Sequence, residues 1–559
     1  MSADPHRPLR EDVRLLGTLL GDTIREQADL EAFALVERVR ALAKSARAGA
    51  GSDFDDLVSL LRGLPVDDSL GLARAFAHFL NLANIAEQHH RTRRRRDYLR
   101  DATAPPQRAS FDDAFAGVLA GGTSPEDLHA TVCGLRIELV LTAHPTEVIR
   151  RTMMRKFQRV ADLLAARDRP DLTAPEREDL EEALAREVLA AWKTDELRRE
   201  RPTPVDEARW GFVVVEQTLW HAVPRLLRRL DRALRRATGR GLPAEAAPIR
   251  FASWMGGDRD GNPNVTPEVT ERVVRLARWM AADLLHREVD ALRSELSMVR
   301  GSEELEARAG SDHEPYRALL RDARDRLART RRRLEDRLAG RSPEGEPGYA
   351  DAEALAEVLR LCDRSLRACG DGRVADGRLT DLRRQLAAFG LGLVSLDLRQ
   401  ESSRHAAAID AVARATGEEA WGARDEEARV GWLASRLSAD PRASGLADAL
   451  ERAERDAAGA AADGTGAEDA AAVADVLATF RMASRLPAGA LGAYVISMAR
   501  RPSDVLSVLT LQHACGVSPP LRVAPLFETV ADLREAGDTM DRLLSVPEYR
   551  SRIDDRQEV

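Results

Sequence analysis

IRFASWMGGDRDGNPN, residues 249–264, opens with an apolar run of strand length and ends in three glycines, two aspartates, an arginine and an Asn-Pro pair. A run this short, bounded by turn residues, reads as a buried strand that delivers a polar loop at its end. Four other stretches repeat the form: IELVLT at 137–142 before AHPTE, LGLVSL at 391–396 before DLRQES, AYVISM at 493–498 before ARRPSD, and LRVAPLF at 521–527 before ETVADL.

Between these runs the pattern turns helical. Apolar residues recur at i, i+3, i+4 through 11–46, 54–64, 67–100, 147–167, 175–199, 207–238, 267–297, 314–339 and 351–369. Strands separated by helices predict βα units and a parallel sheet. Polar motifs gathered at the C-terminal ends of such strands are the layout of a (β/α)8 barrel. Five of the eight strands are found. The expectation is a predominantly α-helical α/β protein: a helical region at 1–130, then an incomplete (β/α)8 (TIM-like) barrel with helical insertions at 131–559. The low-complexity stretch 456–469, DAAGAAADGTGAED, predicts a mobile surface loop.

With 559 residues the chain is too long for one core, and its 44% hydrophobic content can fill more than one. The net charge of -8 gives no overall attraction to nucleic acid or anionic membrane. Basic clusters at 93–96 and 331–333 lie among acidic residues and read as solvated helix faces. Lys44, Lys156 and Lys193 are the only lysines, none in a P-loop context, so phosphate or carboxylate recognition falls to arginine. The four cysteines form no CxxC pair. No apolar run of ~18 residues and no leader-like h-region occur, which predicts a cytoplasmic location.

His144 stands at a strand exit, with Pro145 suited to the first helical turn and Arg150 and Arg151 close behind. That arrangement suits an anion site with its own proton carrier. It equally suits a histidine held by backbone beside solvated arginines. In the 256–264 loop, Asp258 and Asp260 can bind a metal, orient Arg259, or lace a structural turn; the later glutamate of a calcium loop is missing. Arg399 would aim a guanidinium into a barrel mouth, where an anion, or else Asp397 or Glu401, must answer its charge. With Arg259 it forms the expected anion-binding pair. Glu528 closes an apolar run and needs a cation, either a metal or an arginine. Ser503-Asp504 reads as a helix cap.

Several stretches resemble, in order and spacing, the phosphoenolpyruvate carboxylase family. They are LGTLLGDTI at 16–24, FLNLANIAEQHHR at 79–91, LTAHPTE at 141–147, WKTDELRRERPTPVDEARWG at 192–211, GGDRDGNP, LDLRQES, and YVISMARRPSDVL with VAPLFETVADL. The resemblance implies a Mg2+- or Mn2+-dependent lyase. Its substrates would be phosphoenolpyruvate and bicarbonate, and its products oxaloacetate and phosphate, by way of carboxyphosphate and the pyruvate enolate. It makes His144 and Arg399 catalytic, the latter on phosphate, and Glu528 one of two metal-binding carboxylates. Arg150, Arg151 and Arg198 match positions tied to sugar-phosphate activation, and the assembly implied is a homotetramer. In that family, PLFET is soon followed by a second metal-binding aspartate and a catalytic lysine, and no such motifs occur within these 559 residues. The chain is therefore expected to be a fragment, inactive alone. The alternatives are one half of a split enzyme, or a helical scaffold that has lost catalysis.

Overall fold

A computed structural model describes residues 4–27, 30–49, 51–142, 151–195, 201–463 and 467–553. By contacts in space the chain divides into two compact units, Met1–Arg108 with Ile149–Arg201, and Ala109–Val148 with Pro202–Val559. The expected boundary at 130 followed the chain, whereas this division crosses between the units three times.

The first unit is helical. Leu16, Leu20 and Ile24 recur at helical spacing along Arg7–Gln27. They pack in one buried cluster with Ala75 and Leu82 of Val66–Arg100, Val160 and Leu164 of Arg151–Arg167, and Leu184 and Val188 of Ala174–Trp192. The last helix starts on a capping box, Thr173 with Glu176. Of the run 93–96, expected on a solvated face, Arg94, Arg95 and Arg96 are exposed, whereas Arg93 is part-buried and joins Asp12 at 2.9 Å to Asp168 at 2.8 Å. Arg331, in the second unit, likewise pairs with Asp283 at 2.8 Å. In both cases acidic residues distant in sequence supply the partner.

The second unit is built on a parallel sheet, β1 (Ile137–Leu141), β2 (Ile249–Ser253), β3 (Ser395–Glu401), β4 (Leu491–Ser497) and β5 (Val523–Pro525), paired in chain order. The helices after β2 and β5 begin where the sequence places a cap: Thr266 before Pro267–Glu295, and Thr529 with Asp532 before Val530–Leu544. Asp504 likewise accepts the Arg500 and Arg501 N–H groups ahead of Pro502–Cys515, whereas Ser503 turns to Glu426.

β3 begins later than its apolar run. Gly390 (φ 55°) and Leu393 (φ 67°) adopt left-handed backbone after the helix Thr380–Phe389, so most of LGLVSL is a turn. The strand is the more polar SLDLRQE. Its even residues Leu396 and Leu398 are buried in the core, and Leu398 lies in register with Tyr494, which stacks on Phe480 of the helix Ala467–Arg485. Its odd residues Asp397 and Arg399 turn to the opposite face. That face is curled. In a flat sheet β1 and β5 would stand four spacings, roughly 19 Å, apart. Yet Arg522, just before β5, meets Glu138 of β1 at 3.1 Å.

Of the stretch expected as a low-complexity loop, residues 456–463 and 467–469 belong to the helices Leu446–Asp463 and Ala467–Arg485, because its alanines favour helix and Ala457 is buried, while residues 464–466 lie outside those described. Among the described residues, no helix is long and apolar enough to cross a membrane.

Candidate active site

The loop after β2 extends the sheet. Arg259 N–H donates to the Arg399 carbonyl at 2.8 Å and Arg399 N–H to the Gly257 carbonyl at 3.0 Å, a parallel bridge centred on Asp258 and Arg399. Two glycines make this docking feasible. Gly256 has φ 87° and its missing side chain leaves room for Val273, while a Cβ on Gly257 would collide with the Asp397 carbonyl oxygen.

Around this bridge successive residues face opposite sides. Asp258 and Asp260 turn to Arg399, at 3.6 Å and 2.9 Å. Arg259, between them, turns inward. Expected beside the anion, it is only 6% exposed and donates to the Gly257 carbonyl at 3.1 Å and the Thr270 hydroxyl at 2.8 Å. Burial pushes its pKa down. The i, i+2 spacing of the aspartates was the available signal for this division.

Glu528 reaches the same point from the end of β5. One carboxylate oxygen lies 3.3 Å from Arg399 Nη2 and the other accepts the Met498 N–H at 3.1 Å. The Arg399 guanidinium sits 5.4 Å from the Trp254 ring centre, and its Nε has no hydrogen-bond partner among the described residues. Its partners are thus Asp258, Asp260 and Glu528, not Asp397 or Glu401. Trp254 carried no sequence signal beyond its place at a strand end.

One guanidinium among three carboxylates leaves two negative charges in excess. Burial raises the Asp258 pKa, opposed chiefly by Arg399. Such a cluster draws a divalent cation, and a cation relieving the carboxylates would free Arg399 for an anion. Among the described residues, no three His, Cys, Asp or Glu side chains already converge as a metal centre.

Deeper on the same face, Asp397 is 4% exposed and accepts the Ala493 N–H at 2.7 Å. Its carboxylate occupies the space where Gly492 lacks a side chain. Burial pushes its pKa up to about 6; the Ala493 N–H and Arg522 pull down, and Glu138 adds to the rise.

His144, Arg150 and Arg198 lie outside the described residues, as does the side chain of Arg151, which opens the helix Arg151–Arg167. In sequence His144 stands three residues beyond the end of β1, whose Leu141 carbonyl accepts the Trp254 N–H at 3.2 Å.

The family model for phosphoenolpyruvate carboxylase matches residues 9–559. The phosphoenolpyruvate carboxylase of Ectopseudomonas mendocina (strain ymp) is 49% identical over 551 residues, covering 99% of this chain and 60% of its own. That of Pseudomonas aeruginosa is 48% identical over 551 residues with the same coverage. That of Alcanivorax borkumensis is 48% identical over 569 residues, covering all of this chain and 61% of its own. The chain thus spans about 60% of the length of the curated relatives it matches.

Proposed function

The chain belongs to the phosphoenolpyruvate carboxylase family, and from that we propose that the protein makes oxaloacetate and phosphate from phosphoenolpyruvate and bicarbonate. The observation that carries this reading is the Arg399 cluster at the strand ends. It offers a guanidinium for a phosphoryl group and excess carboxylate charge for a divalent cation.

In this reading Arg399 binds the phosphoryl oxygens. Asp258 and Asp260 hold its fork in place, and Trp254 underlies it. His144 is the proton carrier that deprotonates carboxyphosphate. Glu528 is one ligand of Mg2+ (or Mn2+), in keeping with the habit of Mg2+ of taking one or two carboxylates and completing its shell from substrate oxygens. When bound, that ion stabilises negative charge developing on the substrate. Glu528 holds Arg399 as well, so the two charges that the substrate must meet are set against each other in advance.

The curled, sequentially paired sheet is read as part of a (β/α)8 barrel with its chemistry at the C-terminal strand ends. Homotetramer formation, a cytoplasmic location, and an effector role for Arg150, Arg151 and Arg198 belong to the same proposal. A scaffold without catalysis is not favoured, since relatives matching the whole chain are named as carboxylases.

The test is Arg399→Ala in the full-length protein, with bicarbonate-dependent oxaloacetate followed by coupled NADH oxidation. Turnover should fall at least roughly 100-fold while the melting temperature moves by only a few degrees. Near-normal turnover in the variant, or no oxaloacetate from the unmodified protein, would overturn the assignment.

A further inference from the structure

In the second unit, a cavity of about 520 Å³ shares no residue with the Arg399 cluster. Its walls include the helices Trp220–Thr238 and Thr380–Phe389. Five arginines line it: Arg228, Arg235, Arg367, Arg383 and Arg384. So do the carboxylates of Asp231, Glu245, Asp363 and Asp376.

The pairing among these charges is uneven. Arg228 is committed to Asp381 at 2.6 Å and to the carbonyls of Asp376 and Gly377 at 2.8 and 2.7 Å. Those carbonyls belong to a π-helical turn, Ala375–Leu379, an irregularity common at functional sites. Arg367 takes Asp363 at 3.1 Å and Asp376 at 2.7 Å. Arg383 takes Glu245 and, at 2.8 Å, Asp363.

Arg384 is left over. It is 3% exposed, and among the described residues its one ion-pair partner, Asp231, stands 3.8 Å away. That carboxylate already accepts the Leu242 N–H at 2.8 Å and meets Arg235 at 3.3 Å. The Nε groups of both Arg383 and Arg384 lack any hydrogen-bond partner among the described residues. A buried guanidinium so short of acceptors is costly, and burial accordingly lowers the Arg384 pKa. Among the described residues no other carboxylate pairs with Arg384, so the cost is met by none of them.

We propose that this cavity is a second anion site, binding the carboxylate or phosphate group of a small hydrophilic molecule against Arg384, with the exposed Arg235 at its rim. The lining is polar apart from Leu242, Pro243 and Ala244, so the rest of the ligand must carry hydrogen-bonding groups rather than an apolar body. The four carboxylates suit hydroxyls or an amine on that body.

Equilibrium dialysis of the 559-residue chain with labelled orthophosphate, and separately with labelled acetate, at constant ionic strength tests the proposal and tells the two anion types apart. Phosphate on Arg399 is removed from the readout by working in an Arg399→Gln background. A saturable site for at least one probe should persist there. It should weaken at least tenfold on adding Arg384→Gln and severalfold on adding Arg235→Gln, whose solvent-exposed side chain leaves the fold intact. Absence of saturable binding of either probe in Arg399→Gln overturns the proposal, as does binding unchanged by Arg384→Gln. Should the Arg384 variant not fold, unchanged binding in the Arg235 variant overturns it instead.

Discussion

Replacing Asp397 by Asn should stabilise the protein at alkaline pH and do progressively less as pH falls. The carboxyl is raised from 3.8 to about 6, first because it is buried. A folded pKa above the unfolded one means that the favourable contribution is complete below about 3.8 and is lost as pH rises through about 6. At about 1.36 kcal/mol for each tenfold change in proton affinity, that rise makes holding the charged form at pH 8 cost about 3 kcal/mol. At pH 5 the folded carboxyl is mostly protonated and the unfolded one mostly ionised, so about half of that cost is already present. The asparagine carbonyl can still accept the Ala493 N–H, now at 2.7 Å, so the local hydrogen bond survives the change. Urea unfolding of wild type and Asp397→Asn at pH 5, 6, 7 and 8 should therefore show the variant gaining about 1.5 kcal/mol across that range, with most of the gain reached by pH 7. The groups that tune the value are Glu138, which raises it, and Arg522, which lowers it. A stability difference that stays constant from pH 5 to pH 8 would refute the reasoning, because no proton would then be taken up by Asp397 on folding.

Gly257→Ala should cost at least about 2 kcal/mol in denaturant unfolding, since its Cβ meets backbone rather than a side chain that can move; a neutral result would mean that the loop docks differently on β3. His144→Asn in the full-length protein should cut oxaloacetate formation by roughly 100-fold or more with an unchanged melting temperature, and near-normal turnover would remove the histidine from the chemistry. Glu528→Gln should raise the Mg2+ concentration for half-maximal activity roughly tenfold; an unaltered metal requirement would leave Glu528 as a partner of Arg399 alone.

The strand positions were legible where both faces of a strand are apolar, as in β4 (LGAYVIS), because a short continuous apolar run says as much. β3 was displaced because its Asp397 and Arg399 line a polar concave face while Leu396 and Leu398 meet the core, so its hydrophobicity alternates and falls below that of the preceding turn. Arg399 and Glu528 were found as charges that needed partners, and each proved to be a partner of the other. The roles of Asp258 and Asp260 required one further step, that this turn-rich loop pairs with β3 at Asp258, which its glycine content argued against. Pairings such as Arg93 with Asp168 join residues far apart in sequence, and no local pattern encodes them.

The discontinuous first unit also sets a timetable for synthesis. Residues 1–108 leave the ribosome before Val160, Leu164, Leu184 and Val188, against which Leu16, Leu20 and Leu82 are buried. At a translation rate of ~5–20 residues per second, the stretch from residue 109 to Val188 takes on the order of 4–16 s to appear. For that interval the apolar stripes of the nascent helices have only one another to pack against, while β1 has emerged without its partner β2. The newborn chain thus passes through a window in which apolar surface and a strand edge that the finished protein buries are open to aggregation or to a chaperone.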